Sequence, residues 1–211
     1  TRTQCGGRMS KRSQWLRKLM SPAVRRGHAF RRDERGVTLI EFGLLAIPFF
    51  TIIAAIIETS LIFLAGQILD SAVQDSARLI RTGQAQNSTT TFGKDQFRAA
   101  ICNGLYGMFD CKLADDKLRI NVTVLTDFSA ASIGYPLKTG KDCKKTKCDW
   151  TLADSYAPGK GGQVVLVQAY YKWPTIVNLP GFNFQTLPDG TRLLAASRVF
   201  RNEPFICASC P

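Results

Sequence analysis

Gly36 and Glu41 stand where a basic tail meets a long apolar run, in the junction Arg35-Gly36-Val37-Thr38-Leu39-Ile40-Glu41-Phe42. A carboxylate near the start of a membrane-length apolar stretch costs free energy unless a cation neutralises it. Cleavage after Gly36 would create that cation: the new α-amine of Val37 would share a helical face with Glu41, four residues on. Left uncut, Glu41 reads as a carboxylate near a helix N-terminus, favoured by the macrodipole and by Arg31, Arg32 and Arg35. The glycine at this spacing favours the processed reading.

Thiols are the second chemically capable set. Cys5 lies in the tail, while Cys102, Cys111, Cys143, Cys148, Cys207 and Cys210 all follow the apolar run. If the tail is cytoplasmic, the other six lie in an oxidising space, where an even number reads as disulfides. Sequence proximity favours Cys102–Cys111 and Cys143–Cys148. Cys143-x4-Cys148 with Cys207-x2-Cys210 imitates a four-thiolate zinc site, but the irregular spacing and the compartment argue against metal. Cys207-Ala208-Ser209-Cys210 also has the spacing of a thiol–disulfide exchange pair. It sits at the C-terminal edge rather than at a helix start, so a structural bridge is the better reading.

Asp127-Phe128-Ser129-Ala130-Ala131-Ser132 approaches the D-x-S-x-S metal motif of von Willebrand A domains. Its second serine comes one position late and no parallel-sheet pattern follows, so it reads as a turn. The sole histidine, His28, is in the tail, and no Ser/His/Asp set, P-loop or paired-carboxylate motif can be assembled from the rest. No catalytic residue, metal or cofactor is therefore expected.

The elements that position these groups follow from periodicity. Between Val37 and Leu69 the only charges are Glu41 and Glu58. This is too long for a signal-peptide core of about 7–15 apolar residues. A helical rise of about 1.5 Å per residue separates the two glutamates by roughly 26 Å, close to a hydrocarbon thickness of about 30 Å. Glu58 is then expected at the outer interface. Pro48 falls between them, which membrane helices tolerate. Beyond Glu58 the pattern becomes one-sided: Leu61, Ala65, Ile68, Ala72, Ser76 and Leu79 oppose Gln67, Asp70, Gln74, Asp75, Arg78 and Arg81. With Gly83 as a stop, one helix of about 45 residues, near 70 Å, is predicted to run to Thr82.

A polar linker covers 84–91. A short helix is expected over Phe92 to Leu105, with Phe92, Gln96, Ala99 and Ala100 on one side. Strand signals follow at Leu118–Val124, Val164–Trp173 and Leu193–Phe200, separated by loops over Asp127–Gly162 and Pro174–Pro188. The fold class is α+β. A basic leader (1–36) precedes a long N-terminal helix (37–83), transmembrane in its first half, and a small disulfide-stabilised antiparallel-sheet head (84–211).

Of the net charge of +12, the first 36 residues hold +9. A basic chain invites a nucleic-acid reading, yet this excess abuts the apolar run, where Lys and Arg hold a flank in the cytoplasm. The expected topology is a single pass through a bacterial inner membrane, tail cytoplasmic and head periplasmic, with no nucleic-acid partner.

The block Gly36-Val37-Thr38-Leu39-Ile40-Glu41-Phe42-Gly43-Leu44-Leu45-Ala46-Ile47-Pro48-Phe49 resembles the N-terminal block of the TadE-like pilus assembly proteins. The stretch from Ala72 through Ala77-Arg78 to Thr82-Gly83 resembles its end. The likeness covers about residues 36 to 83, and no motif places the head. It implies a non-enzymatic pseudopilin-like subunit of the Tad (Flp) type IV pilus, serving adherence and biofilm formation. Its implied partners are the inner membrane, other pilin-like subunits, the Tad assembly machinery and a prepilin peptidase. Under that resemblance Gly36 is the last leader residue, Val37 the first mature one and Glu41 the fifth-position glutamate. Phe42 stands where the major Flp pilin usually has Tyr. The rival readings are a membrane-anchored periplasmic binding domain without a pilus role and a periplasmic thiol oxidoreductase resting on Cys207 and Cys210.

Overall fold

The computed structural model describes residues 37–87, 92–112, 116–138, 143–144, 147–176 and 184–206. The leader with Gly36, and Cys207 and Cys210, lie outside them. The chain divides between Ile52 and Ile53 into two compact units.

Helix α1 covers Val37–Arg81 with Pro48 inside it. Proline lacks an N–H, so the carbonyl four residues back loses its usual donor. The first unit holds the apolar start of this helix, where Leu39, Ile40, Leu44, Leu45, Ile47, Phe49 and Phe50 are all exposed. Hydroxyls along the helix return to its own backbone: Thr51 Oγ1 donates to Ile47 O at 2.7 Å and Thr59 Oγ1 to Ala55 O at 2.8 Å. Such bonds let a hydroxyl sit in a helix without calling on water.

In the second unit α1 becomes one wall of the head. Ala65, Leu69, Ala72, Val73, Ser76, Ala77 and Ile80 are buried, whereas Leu61, Ile68 and Leu79 are only half-buried. The buried stripe is thus turned from the predicted one, and Asp70 stands beside the core rather than opposite it. The helix ends at Gly83, whose φ of +77° suits glycine. There the Phe205 ring comes within 2.6 Å of where a Cβ would stand, so no side chain fits at this position.

Helix α2, Lys94–Gly104, starts with Gly93 N donating to Gln96 Oε1 at 3.0 Å. Its buried residues are Phe97, Arg98 and Ile101, not the predicted Gln96, Ala99 and Ala100 side. Arg98 is the reason the pattern misled. It is 7% exposed, with NH1 donating to Asp154 Oδ2 at 3.1 Å and NH2 to Leu118 O at 3.0 Å. A partnered guanidinium belongs inside, while an unpartnered one would not. Gly104 crosses α1 closely: an added Cβ would stand 2.9 Å from Ala72 Cβ.

The head's main sheet has the order β4-β1-β5-β6, built from β1 (Leu118–Leu125), β4 (Ser155–Tyr156), β5 (Val164–Pro174) and β6 (Thr191–Arg201). β1 with β5 and β5 with β6 are antiparallel, but β4 lies parallel to β1, so the sheet is mixed rather than antiparallel throughout. β4 reaches that edge through side chains and backbone together. Asp154 Oδ1 accepts from Ile120 N at 2.9 Å, the Ser155 hydroxyl donates to Asn121 Oδ1, and Ala157 N donates to Val122 O at 3.0 Å. A separate hairpin pairs β2 (Cys143–Lys144) with β3 (Lys147–Cys148).

One sheet face carries Ile120, Val122, Val165, Val167, Ala169 and Ala196 into a single core with α1 and α2. The other face carries Arg119, Asn121, Thr123, Gln168, Tyr170 and Lys172. Part of it lies under a small cluster of Leu137, Cys148 and Leu187 with Trp150. Trp150 holds that corner with its Nε1 donating to Asp116 O at 2.7 Å, while Lys172 Nζ lies 4.5 Å from the indole centroid.

Candidate functional site: the apolar start of the long helix and the base of the head

Val37 opens α1, and Glu41 and Phe42 follow one turn on, with Phe42 67% exposed. The helix has no acid in its first turn, so Glu41 is the first carboxylate beyond Val37. Four residues of helix put the two positions on one face, about 6 Å apart in rise. Apolar side chains surround that face on every side. Among the described residues, α1 is the one helix long and apolar enough to cross a membrane. It fits a single-pass membrane anchor followed by a C-terminal head.

Glu58, expected at the outer interface, lies where α1 enters the head. It is 1% exposed, and its Oε1 accepts from Ile176 N at 3.1 Å. The chain leaving β5 supplies that N–H where the ladder with β6 ends at Pro174–Thr191. Glu58 therefore sits under the base of the head. The sequence held no local signal for this, because donor and acceptor are 118 residues apart.

Asp70 and Arg198 form a second tie between α1 and the sheet, with Arg198 NH2 also 3.3 Å from Gln74 Oε1. At the far end Glu203 N donates to Arg81 O at 2.9 Å, and the two side chains approach to 3.8 Å. The helix is thus bound to the head at its entry, middle and end.

Cys102 and Cys111 form a disulfide with Cα atoms 6.1 Å apart, closing α2 onto the turn before β1. Cys148 is buried and engaged in a disulfide, and its Cα partner across the hairpin is Cys143. Asp127 is a turn residue, as its sequence suggests. Its Oδ1 accepts from Ser129 N at 2.7 Å and Ala130 N at 3.1 Å, capping a 3-10 turn over Phe128–Ala130. The Ser129 hydroxyl and these amides hold its carboxyl below the ordinary range. No group of three or more His, Cys, Asp or Glu suited to a metal occurs among the described residues.

Residues 36–78 match a family model described as TadE-like protein. No curated protein and no solved structure matches the chain. The match falls on the Gly36–Glu41 junction and most of α1, and it stops where the helix is already embedded in the head. By that match the chain carries a TadE-like segment over residues 36–78.

Proposed function

We propose that this protein is a pseudopilin-like component of a Tad (Flp) type IV pilus, cut after Gly36 by a prepilin peptidase. The observation that carries the reading is the start of α1. A glycine precedes a helix that is apolar on every side, and the first carboxylate of that helix is the fifth residue after the glycine. In an apolar medium the freed Val37 ammonium needs a counter-charge, and Glu41 supplies it, in its own subunit or in a neighbour. The basic leader stays in the cytoplasm and the head lies in the periplasm. The helix is the assembly element, while the head makes the specific contacts that prime, anchor or cap the filament. The reading asks for no catalysis.

The test is the mass of the protein from its native membrane, together with piliation of strains whose only copy carries one substitution. The wild type should begin at Val37. Gly36→Val should accumulate uncut precursor, because a β-branched side chain obstructs close approach of the peptidase to that backbone. Glu41→Ala should be cut normally yet fail to support pili. A wild-type protein that retains residues 1–36 while pili form normally would sink the processed-pseudopilin reading.

A further inference from the structure

The face of the sheet turned away from α1 holds one polar residue per strand in a single cross-strand row. Ser155, Asn121, Gln168 and Ser197 stand in register on β4, β1, β5 and β6. A hydrogen-bonded chain runs through it. The Ser155 hydroxyl donates to Asn121 Oδ1, Asn121 Nδ2 to Gln168 Oε1 at 3.2 Å, and Gln168 Nε2 to Tyr170 Oη at 3.1 Å; Tyr170 Oη reaches Gly134 O at 3.4 Å. Asn121, Gln168 and Tyr170 are all buried, at 8%, 4% and 3% exposure. A face needed only for packing would be better filled with apolar side chains, since buried amides gain little net stability and cost much if a partner is lost.

Above this row the packing leaves a cavity of about 270 Å³ between the sheet and the segment around 130–136. Its lining includes Asn121, Thr123, Ser132, Tyr135, Gln168 and Tyr170 and, among the described residues, no charged side chain. Each primary amide carries two N–H groups, and the chain just traced uses one from Asn121 and one from Gln168. The fixed amides therefore have donor capacity left, next to the hydroxyls of Thr123 and Ser132. Leu125, Pro136 and Leu152 add apolar wall, and the Tyr135 ring, 55% exposed, stands at the rim.

We propose that this cavity binds a neutral saccharide. An anionic ligand would find no cation in the wall among the described residues, and an apolar one would leave the amides without partners. A sugar presents the combination the cavity matches: several uncharged hydroxyls for directional donors and acceptors, and a C–H face for an aromatic ring. The volume is just under the roughly 300–1,000 Å³ of drug-sized sites, which suits one or two rings. The assignment does not depend on processing at Gly36 or on a place in a filament.

The experiment is calorimetric titration of the full chain in a non-glycosidic detergent, because alkyl glycosides would compete. The probes are N,N′-diacetylchitobiose, maltose, glucuronic acid and an uncharged Ser-Gly-Asn peptide amide. Saturable binding of either disaccharide is expected, at least about tenfold tighter than glucuronic acid or the peptide. A preference for chitobiose points to N-acetylated, wall-type glycans, and a preference for maltose to plain hexose polymers. Tyr135→Ala, at an exposed position that leaves the head folded, should weaken binding by about tenfold. Absence of saturable binding by both disaccharides would leave only a solvated cavity and overturn the proposal. Unchanged affinity in Tyr135→Ala, or a peptide that binds better than either sugar, would overturn it as well.

Discussion

From Val37 to Ile57, α1 offers Leu44, Leu45, Ile47, Phe49, Phe50 and Ile56 to its surroundings, whereas from Glu58 to Ile80 it buries Leu69, Val73 and Ile80 completely. The two stretches belong to one unbroken helix and are similarly rich in aliphatic residues. What separates them is where the polar groups fall. The first has no charge between Glu41 and Glu58. The second carries Asp70, Gln74, Asp75 and Arg78 along the margins of a stripe of small residues. Hydrophobicity alone therefore does not distinguish a stretch made for lipid from one made for protein; the periodicity of its interruptions does.

Pairing one substitution in each stretch gives the largest contrast. Leu69→Ala should destabilise the head by about 2–5 kcal/mol, the usual cost of emptying a fully buried leucine site. Leu45→Ala should leave head unfolding unchanged. Fluorescence of Trp150 and Trp173 during denaturation reports on the head in both variants. Equal losses would mean that the helix is not divided as described.

Glu58→Ala tests the boundary itself. Losing the acceptor strands the Ile176 N–H, at a cost of about 1–3 kcal/mol, and the same denaturation should show a loss in that range. A variant as stable as the wild type would place the boundary elsewhere. Arg198→Ala should have the smallest effect, up to about 1 kcal/mol, because both members of its pair with Asp70 are about a third exposed or more. Raising the salt concentration should reduce even that difference; a larger, salt-insensitive loss would move the pair into the core.

Much of this arrangement was legible in the sequence where the signal is local. Alternation marked β1, and strand-forming composition β5 and β6, to within a few residues, and Gly83 marked the end of α1. The short loop between Cys102 and Cys111 pointed to their pairing. What escaped were choices made by distant partners. Arg98 is drawn inside by Asp154, 56 residues away, so the buried side of α2 lies nearly opposite the side shared by Phe92, Gln96, Ala99 and Ala100. The parallel placement of β4 depends on Asp154, Ser155 and Asn121 acting together. Nothing in β1 announces that the segment around 130–136 folds back over Asn121.

One consequence of the ties along α1 is mechanical. They begin with Glu58 to Ile176 and end with Arg81 to Glu203 and the Phe205 ring over Gly83. From Glu58 to Arg81 that is a grip of 24 residues, or roughly 35 Å of helix. Tension along the helix axis loads those contacts together, in shear, so the force needed to slip the helix grows with the gripped length. A sideways pull starting at Gly83 would instead release them one after another, like a zip. The head is a clamp that resists tugging along the helix far better than prying away from it.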